Sequence, residues 1–454
     1  MDNNQFSRRE FLGLGAFAGA SLAGRRIRPA RELVLDAPAQ PPVSSQPSDR
    51  VRFGIVGVGM QGSGLLATAI TVPGVECVAA ADLYDGRHVL AREITNNPSL
   101  RVTRRYQELL DDKNIDAIIA AVPDHWHKQL VIDALNAGKD VYCEKPMSHT
   151  PADGVAMLDA ARRTGRIVQI GSQRVSSPIC AKARELIAQG MIGELTLVEG
   201  WNGRNDPTGA WQYPPPLDLS PANLDWDTWL GTAPKKPFDP ITFARWRAWK
   251  EYGTGVAGDL LVHLVSGLLF MLDMNRPPTR VASVGGIRRW KDGRNMPDVH
   301  AAVYDYAGLP VYMRLNLGTE MPETYRFQGS KGILEMTGNT IALTPQWGDD
   351  RSPSYYSGSF PKAMRDAYVK QWHAENDERL ARESMSEAVV IRGGNFDATK
   401  GHLANFFDAV RTRKPVVEDA LFGHNAALAC HLANESYFRQ DSVRWDEGAR
   451  TIKS

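Results

Sequence analysis

The sequence predicts an α/β protein: a parallel sheet wound by helices on both faces, followed by a second domain built on one open sheet. Val51–Asp82 reads as strand, glycine-rich turn, helix and strand. From there to Gln173, apolar runs of strand length alternate with helical stretches, the order a parallel sheet requires. Beyond residue 175 the pattern changes to period-two β segments: Val281–Ile287, Val299–Tyr306, Val311–Leu317, Tyr325–Gln328 and Gly332–Met336.

Val51–Val56 is a short apolar run of buried-strand type. Gly57, Gly59 and Gly62 follow it in G-x-G-x-x-G register, with Met60 and Gln61 opening the next helix. Gly57 allows the tight turn, Gly59 lets a pyrophosphate approach the backbone, and Gly62 permits close helix packing. The free N–H groups of the helix N-terminus favour an anion there. Val75–Ala81 ends on Asp82, where an acid accepts hydrogen bonds from ribose hydroxyls. A carboxylate at this place favours NAD over NADP, a preference that Arg87 partly offsets.

Arg87–Thr95 reads as helix, and Asp116–Val122 is the next buried strand, ending in Pro123-Asp124-His125-Trp126-His127. Lys128–Ala137 is a helix closed by Gly138. The strand Asp140–Cys143 delivers Glu144-Lys145-Pro146, the helix Thr150–Thr164 follows, and the strand Arg166–Ile170 delivers Gln173 and Arg174. In such a sheet, ligand-binding groups lie at the carboxyl ends of the strands, where these segments fall. A helix is expected over 179–189 and a first β segment over 193–201. Residues 201–255 are rich in Trp, Pro and Gly, with Trp201, Trp211, Trp226, Trp229, Trp246 and Trp249. Gly258–Leu272 is an apolar helix in which Asp259 and His263 stand i, i+4 on one face. Residues 340–392 are charged and irregular, and 404–413 and 424–438 read as closing helices.

The chain has 454 residues, with Lys+Arg 53 against Asp+Glu 52. That balance gives no footprint for nucleic acid or for an acidic partner. Cys77, Cys143, Cys180 and Cys430 are scattered without a C-x-x-C pair and read as buried thiols. Ser7-Arg8-Arg9-Glu10-Phe11-Leu12 precedes a Gly/Ala-rich apolar run to Gly24, the pattern of a twin-arginine (Tat) export signal read by the Tat translocon. Ala37-Pro38-Ala39 offers a cleavage site, although cleavage there is not assured and the signal could stay as an anchor. Residues 25–50, rich in Pro, Ser and Arg, read as a linker. The expected division is 1–50 signal and linker, 51–174 dinucleotide-binding domain, and 175–454 substrate and oligomerisation domain.

The runs Gly54–Gly62 (GIVGVGMQG), Val122–His127 (VPDHWH), Cys143–Pro146 (CEKP), Trp226–Gly231 (WDTWLG) and Gly253–His263 (GTGVAGDLLVH) resemble the Gfo/Idh/MocA family of dinucleotide oxidoreductases. The resemblance covers most of residues 50–440. It implies a Rossmann domain and a second α/β domain whose large sheet is mostly antiparallel and whose outer face makes homo-oligomers. It also implies that Lys145 stands by the nicotinamide and the reacting hydroxyl, that Glu144 orients the loop, and that Pro146 is cis. His263 would be the general base, and Asp259 would contact substrate or lysine; a structural Asp–His pair is the competing reading. Ser266-Gly267 departs from the family, which often places another acid there. Val122, Pro123, His125 and His127 would cover the nicotinamide ribose rather than bind a metal. Gln173 is expected at the cofactor, and Arg174, Trp201 and Arg247 at the substrate.

The function expected is an exported oxidoreductase with tightly bound NAD, acting on a hydroxyl of a sugar, polyol or glycoside. The alternatives are an NAD-dependent glycoside hydrolase working through transient oxidation, and a non-catalytic carbohydrate-binding protein.

Overall fold

The computed structural model describes residues 31–35, 50–383 and 387–453. The twin-arginine segment and Ala37–Ala39 lie outside the described residues.

The first sheet is six-stranded and wholly parallel. Its order across the sheet is Arg101–Thr103, Val75–Ala81, Val51–Val56, Ala117–Ala120, Asp140–Glu144 and Val168–Gly171. Strand alternation sends Phe53 and Ile55 to one face and Val56 to the other, and both faces are covered. Helices Asp124–Asn136 and Pro151–Thr164 bring Leu130, Val131, Met157 and Leu158 to the Val56 face. Helix Met60–Ala69 brings Leu65 and Leu66 to the other.

That second face is completed from far along the chain. Helix Ala398–Thr412 lays Leu403, Phe406 and Phe407 on Phe53 and Ile55. The closing helix expected in the substrate domain therefore belongs to the core of the first domain. Helix Ala420–Arg439 bridges, with Ala420 and Ala427 in the first core and Leu428 and Leu432 in the second.

The second sheet has eleven strands, centred on Leu195–Gly203 between Met321–Gly329 and Leu309–Asn316. Pairing is antiparallel except at the edge pair Arg31–Val34 with Val389–Arg392 and at Leu195–Gly203 with Leu309–Asn316. One face, with Met313, Leu315, Tyr325, Phe327 and Met336, packs on Leu264, Val265 and Leu268 of helix Val262–Met271. The opposite face is open.

Two expectations are corrected here. Arg31–Val34, placed in the linker, is an edge strand with every residue exposed, so it leaves no burial pattern in the sequence. Residues 340–392 contain the strands Thr340–Pro345 and Val389–Arg392 and a helix, Lys362–Arg382, that buries no residue.

The Trp-rich stretch is a strap lying over the first domain. Trp226 and Trp229 stack at 4.9 Å and 7° and pack with Tyr84, Phe243 and Tyr252. Backbone hydrogen bonds pin the strap down, from Asp225 N–H to Leu83 O at 3.1 Å and from Asp85 N–H to Asn223 O at 3.0 Å. Trp211 is fully buried. Most of this aromatic cluster is therefore core, and Trp229 and Trp246 are the tryptophans that line the cleft beneath.

Candidate active site

The glycine turn forms as its spacing requires. Gly57 has φ +87°, and a Cβ on it would stand 2.3 Å from Ala121 O. A Cβ on Gly62 would meet Gly57 O at 2.0 Å, so the close packing at Gly62 is against the turn itself. Gly59 lines the cleft, and a Cβ on it would stand 3.3 Å from the Arg87 guanidinium. Gly59 caps helix Met60–Ala69 without a side-chain hydrogen bond, leaving the first-turn N–H groups for an anion.

A pocket continues from this turn, lined by Gly57, Asp82, Leu83, Arg87, Thr228 and Trp229 among others. Asp82 Oδ2 accepts Val58 N–H at 2.8 Å and Oδ1 accepts Tyr84 N–H at 3.0 Å, with Arg87 Nη1 at 3.4 Å. A carboxylate has about four lone-pair sites, so capacity remains for ribose hydroxyls. Arg87 also stacks on Phe243, 4.9 Å from the ring centre. The residues present thus fit a dinucleotide: adenosine ribose at Asp82, and pyrophosphate between Gly59 and Arg87.

The cleft runs on past Val122 and Pro123 into a second, wider space. Met60, Gln61, Glu144, Lys145, Gln173, Arg247, Asp259 and His263 all line it, so the strand ends and the distant helix converge as expected. The Lys145–Pro146 peptide is cis. Lys145 Nζ donates to Asp259 Oδ1 and to Asp259 O, both at 2.8 Å. The carbonyl is reachable because Ala257–Leu261 is a π-type turn opening onto helix Val262–Met271, where a continuous α-helix was expected. Such turns free backbone groups from the regular ladder and recur at functional sites.

Arg247 Nε donates to the same Asp259 Oδ1 at 3.1 Å, and its guanidinium lies 4.2 Å over Trp246. Burial alone would raise the Asp259 carboxyl, but the Lys145 and Arg247 charges prevail and hold it well below the usual carboxylate range. The His263 imidazole is pushed down to about 3, by burial first and then by Lys145, against the opposing charge of Asp259. It is a neutral ring at the cleft wall.

Glu144 Oε1 accepts Gln61 Nε2 at 3.0 Å and Gln173 Nε2 at 2.6 Å, and burial pushes its carboxyl up. Behind this wall Glu418 is fully buried, with Oε2 accepting Ser172 N–H at 3.2 Å, and burial pushes its carboxyl up to about 8. An acid whose pKa is raised by folding binds its proton in the native state after the unfolded chain has lost it. Stability then falls as pH rises from the ordinary value of 4.5 towards 8. Glu418→Gln is expected to raise the melting temperature at about pH 9 and to change it little at about pH 5.

Four expected residues stand elsewhere. His127 is buried, with Nδ1 2.8 Å from Pro146 O and Nε2 2.9 Å from Val122 O, so it ties the two loops together from behind. His125 reaches Tyr252 O at 3.2 Å and Trp229 O at 3.0 Å, and holds the strap rather than a ribose. Arg174 Nε is 2.5 Å from Glu323 Oε1, and the same guanidinium donates to Gly338 O. Trp201 lies on the open face of the second sheet, with Arg326 5.2 Å over its ring. Among the described residues no group of three His, Cys, Asp or Glu could hold a metal, and no helix is long and apolar enough to cross a membrane. The four cysteines are free and buried.

Sequence reasoning missed Asp124, Arg204 and Tyr213 in the cleft wall. Asp124 Oδ2 accepts Thr254 N–H at 3.0 Å and Thr254 Oγ1–H at 2.7 Å, because the helix begins at Asp124 rather than Lys128. The acid in its first turn was the signal for that start.

Residues 51–172 match a family described as "Oxidoreductase family, NAD-binding Rossmann fold" (GFO_IDH_MocA), and residues 180–286 match that family's "C-terminal alpha/beta domain". The inositol 2-dehydrogenase of Salmonella typhimurium is 35% identical over 154 residues, 33% of this chain and 45% of that protein. That of Rubrobacter xylanophilus is 32% identical over 162 residues, 35% of this chain and 46% of that protein. The match thus spans less than half the length of these relatives. Levoglucosan dehydrogenase, solved with NADH and levoglucosan, superposes with a TM-score of 0.63 at 17% identity, covering 87% of this chain and 99% of that one. Aldose–aldose oxidoreductase from Caulobacter crescentus, solved with glycerol, gives 0.61 at 16% identity, covering 87% and 99%. These structural likenesses establish the fold.

Proposed function

Because this chain belongs to the Gfo/Idh/MocA oxidoreductase family and carries its NAD-binding Rossmann domain, we propose that it oxidises a hydroxyl of a sugar or polyol with NAD. The observation that carries this reading is Lys145, clamped by Asp259 where the cleft from the glycine turn meets the second domain. When bound, NAD supplies a nicotinamide ring that takes a hydride from a carbinol carbon. An ammonium has three donors; Lys145 uses two on Asp259, and the third is left to hold the substrate oxygen. His263, neutral and free of protein hydrogen bonds on its ring among the described residues, accepts the hydroxyl proton. The Asp259 carboxylate offsets the charge that then forms on the imidazole. Trp246 and Tyr213 add aromatic surface to the wall where a pyranose or cyclitol ring would lie.

The pinned strap supports a cofactor held through many turnovers, since Thr228 and Trp229 line the adenosine pocket. The twin-arginine segment supports export, and changing Arg8 and Arg9 to lysine is expected to leave the protein in the cytoplasm; unchanged export would refute that route. The open sheet face, where Val284 and Val303 are 72% and 49% exposed, supports a homo-oligomer. Val284→Asp is expected to lower the mass seen by light scattering, and an unaltered mass would place the interface elsewhere.

To test the reading, NAD and NADP are titrated against the purified protein through tryptophan fluorescence. Absorbance of the reduced nicotinamide is then followed as sugars, polyols and aryl glycosides are added. NAD bound in preference to NADP, with reduction by a panel member, is the expected result. Release of an aryl group without lasting reduction would select the transient-oxidation glycosidase cycle. Failure to bind either nucleotide would leave a carbohydrate-binding protein as the better account.

A further inference from the structure

At the substrate end of the cleft two guanidinium groups have N–H donors that no protein group among the described residues accepts. Arg204, just beyond the strand Leu195–Gly203, lines this end with Tyr213, Trp246, Arg247 and His263. Its side chain makes no hydrogen bond or ion pair among the described residues. Arg247 uses Nε on Asp259, and both its terminal nitrogens have no protein partner among the described residues. The carboxylate that Arg247 meets, Asp259, also serves Lys145 at 2.8 Å. Of the other acids nearby, Glu323, paired with Arg174 at 2.5 Å, and Asp124, hydrogen-bonded by Thr254, act on these guanidinium groups through space. Glu144 is hydrogen-bonded by Gln61 and Gln173, and none of the three makes an ion pair with Arg204 or Arg247. The exposed Asp206 accepts Gly209 N–H at 2.8 Å.

Guanidinium N–H groups partly removed from water are costly without an acceptor, and the unused donors of Arg204 and Arg247 line the cleft where a ligand would lie. The stack on Trp246 and the Nε–Asp259 bond hold Arg247 in the cleft wall with both terminal nitrogens unused, and a guanidinium with two free N–H groups can bind a planar carboxylate. Resting on the oxidoreductase reading above, we propose that the substrate is a sugar acid, its carboxylate read by Arg204 and Arg247 while its ring hydroxyl meets Lys145 and His263.

The test uses the full NAD-loaded protein and follows quenching of tryptophan fluorescence by D-glucuronate, D-galacturonate and their neutral counterparts glucose and galactose, with glucose 6-phosphate alongside. Tenfold or tighter binding of one uronate over its neutral counterpart is expected, and this ratio should shrink with added salt. Arg204→Gln is expected to bring the ratio near one, and Arg204→Lys to restore part of it. A uronate that binds no better than its neutral counterpart overturns the proposal, as does a preference that survives Arg204→Gln. Stronger binding of the phosphate ester than of either uronate overturns the carboxylate assignment. Reduction of bound NAD by a neutral sugar, without any uronate preference, would refute this inference and leave the oxidoreductase reading standing.

Discussion

Lys145→Met is expected to slow hydride transfer about a thousandfold, within the range found for removing a positioned acid–base group. The substitution keeps the length and apolar stem of the side chain. It removes the donor that holds the substrate oxygen, and leaves Asp259 with Arg247 as its remaining cation partner. NAD affinity should change little, because the residues that would hold its pyrophosphate and ribose, Gly59, Arg87 and Asp82, are untouched. Single-turnover absorbance separates the two effects. A variant that transfers hydride at the wild-type rate would remove Lys145 from the chemistry.

Asp259→Asn is expected to cost about 3 kcal/mol of stability and most of the activity, because Lys145 and Arg247 would then share a cleft wall without their carboxylate. The folded pKa of Asp259 is depressed, so its contribution is present above the ordinary carboxylate value of 3.8 and is lost as pH falls through the lower folded value. The destabilisation should therefore be full near neutral pH and fade in strong acid, as read by urea unfolding at several pH values. Equal destabilisation at all pH values would point to packing instead of charge.

The first sheet was legible in five of its six strands, which are compact apolar runs, and at Gly57 and Gly62, which admit no side chain where they stand. The sixth, Arg101–Thr103, is an edge strand that buries no residue and leaves no apolar pattern to read. Lys145, Asp259, His263 and Gln173 line the cleft as expected: the family resemblance pointed to Lys145, Gln173 follows a strand end, and Asp259 and His263 stood out as polar residues in an apolar helix. What sequence pattern could not give was direction. His125 and His127 follow a strand end as a cofactor loop would, yet both rings turn away and end on backbone carbonyls. Arg174 and Trp201 likewise follow or lie in expected strands, but one is claimed by Glu323 and the other faces outward.

Long-range pairing was equally hidden. The helical period of Leu403, Phe406 and Phe407 announces an apolar face without naming Phe53 and Ile55 as what it covers. The π-type turn at Ala257–Leu261 is too short to alter the apolar pattern of its helix, although it is what brings the Asp259 carbonyl to Lys145.

The most direct measurement uses NAD-loaded protein and fully deuterated sugars and polyols, with the nucleotide then released and weighed. If Lys145, Asp259 and His263 assemble a hydroxyl-oxidising site beside the nicotinamide, one panel member will deliver a single deuterium to the nucleotide, and Lys145→Met will not take it up. Product formed from any panel member with the nucleotide unlabelled would contradict the account.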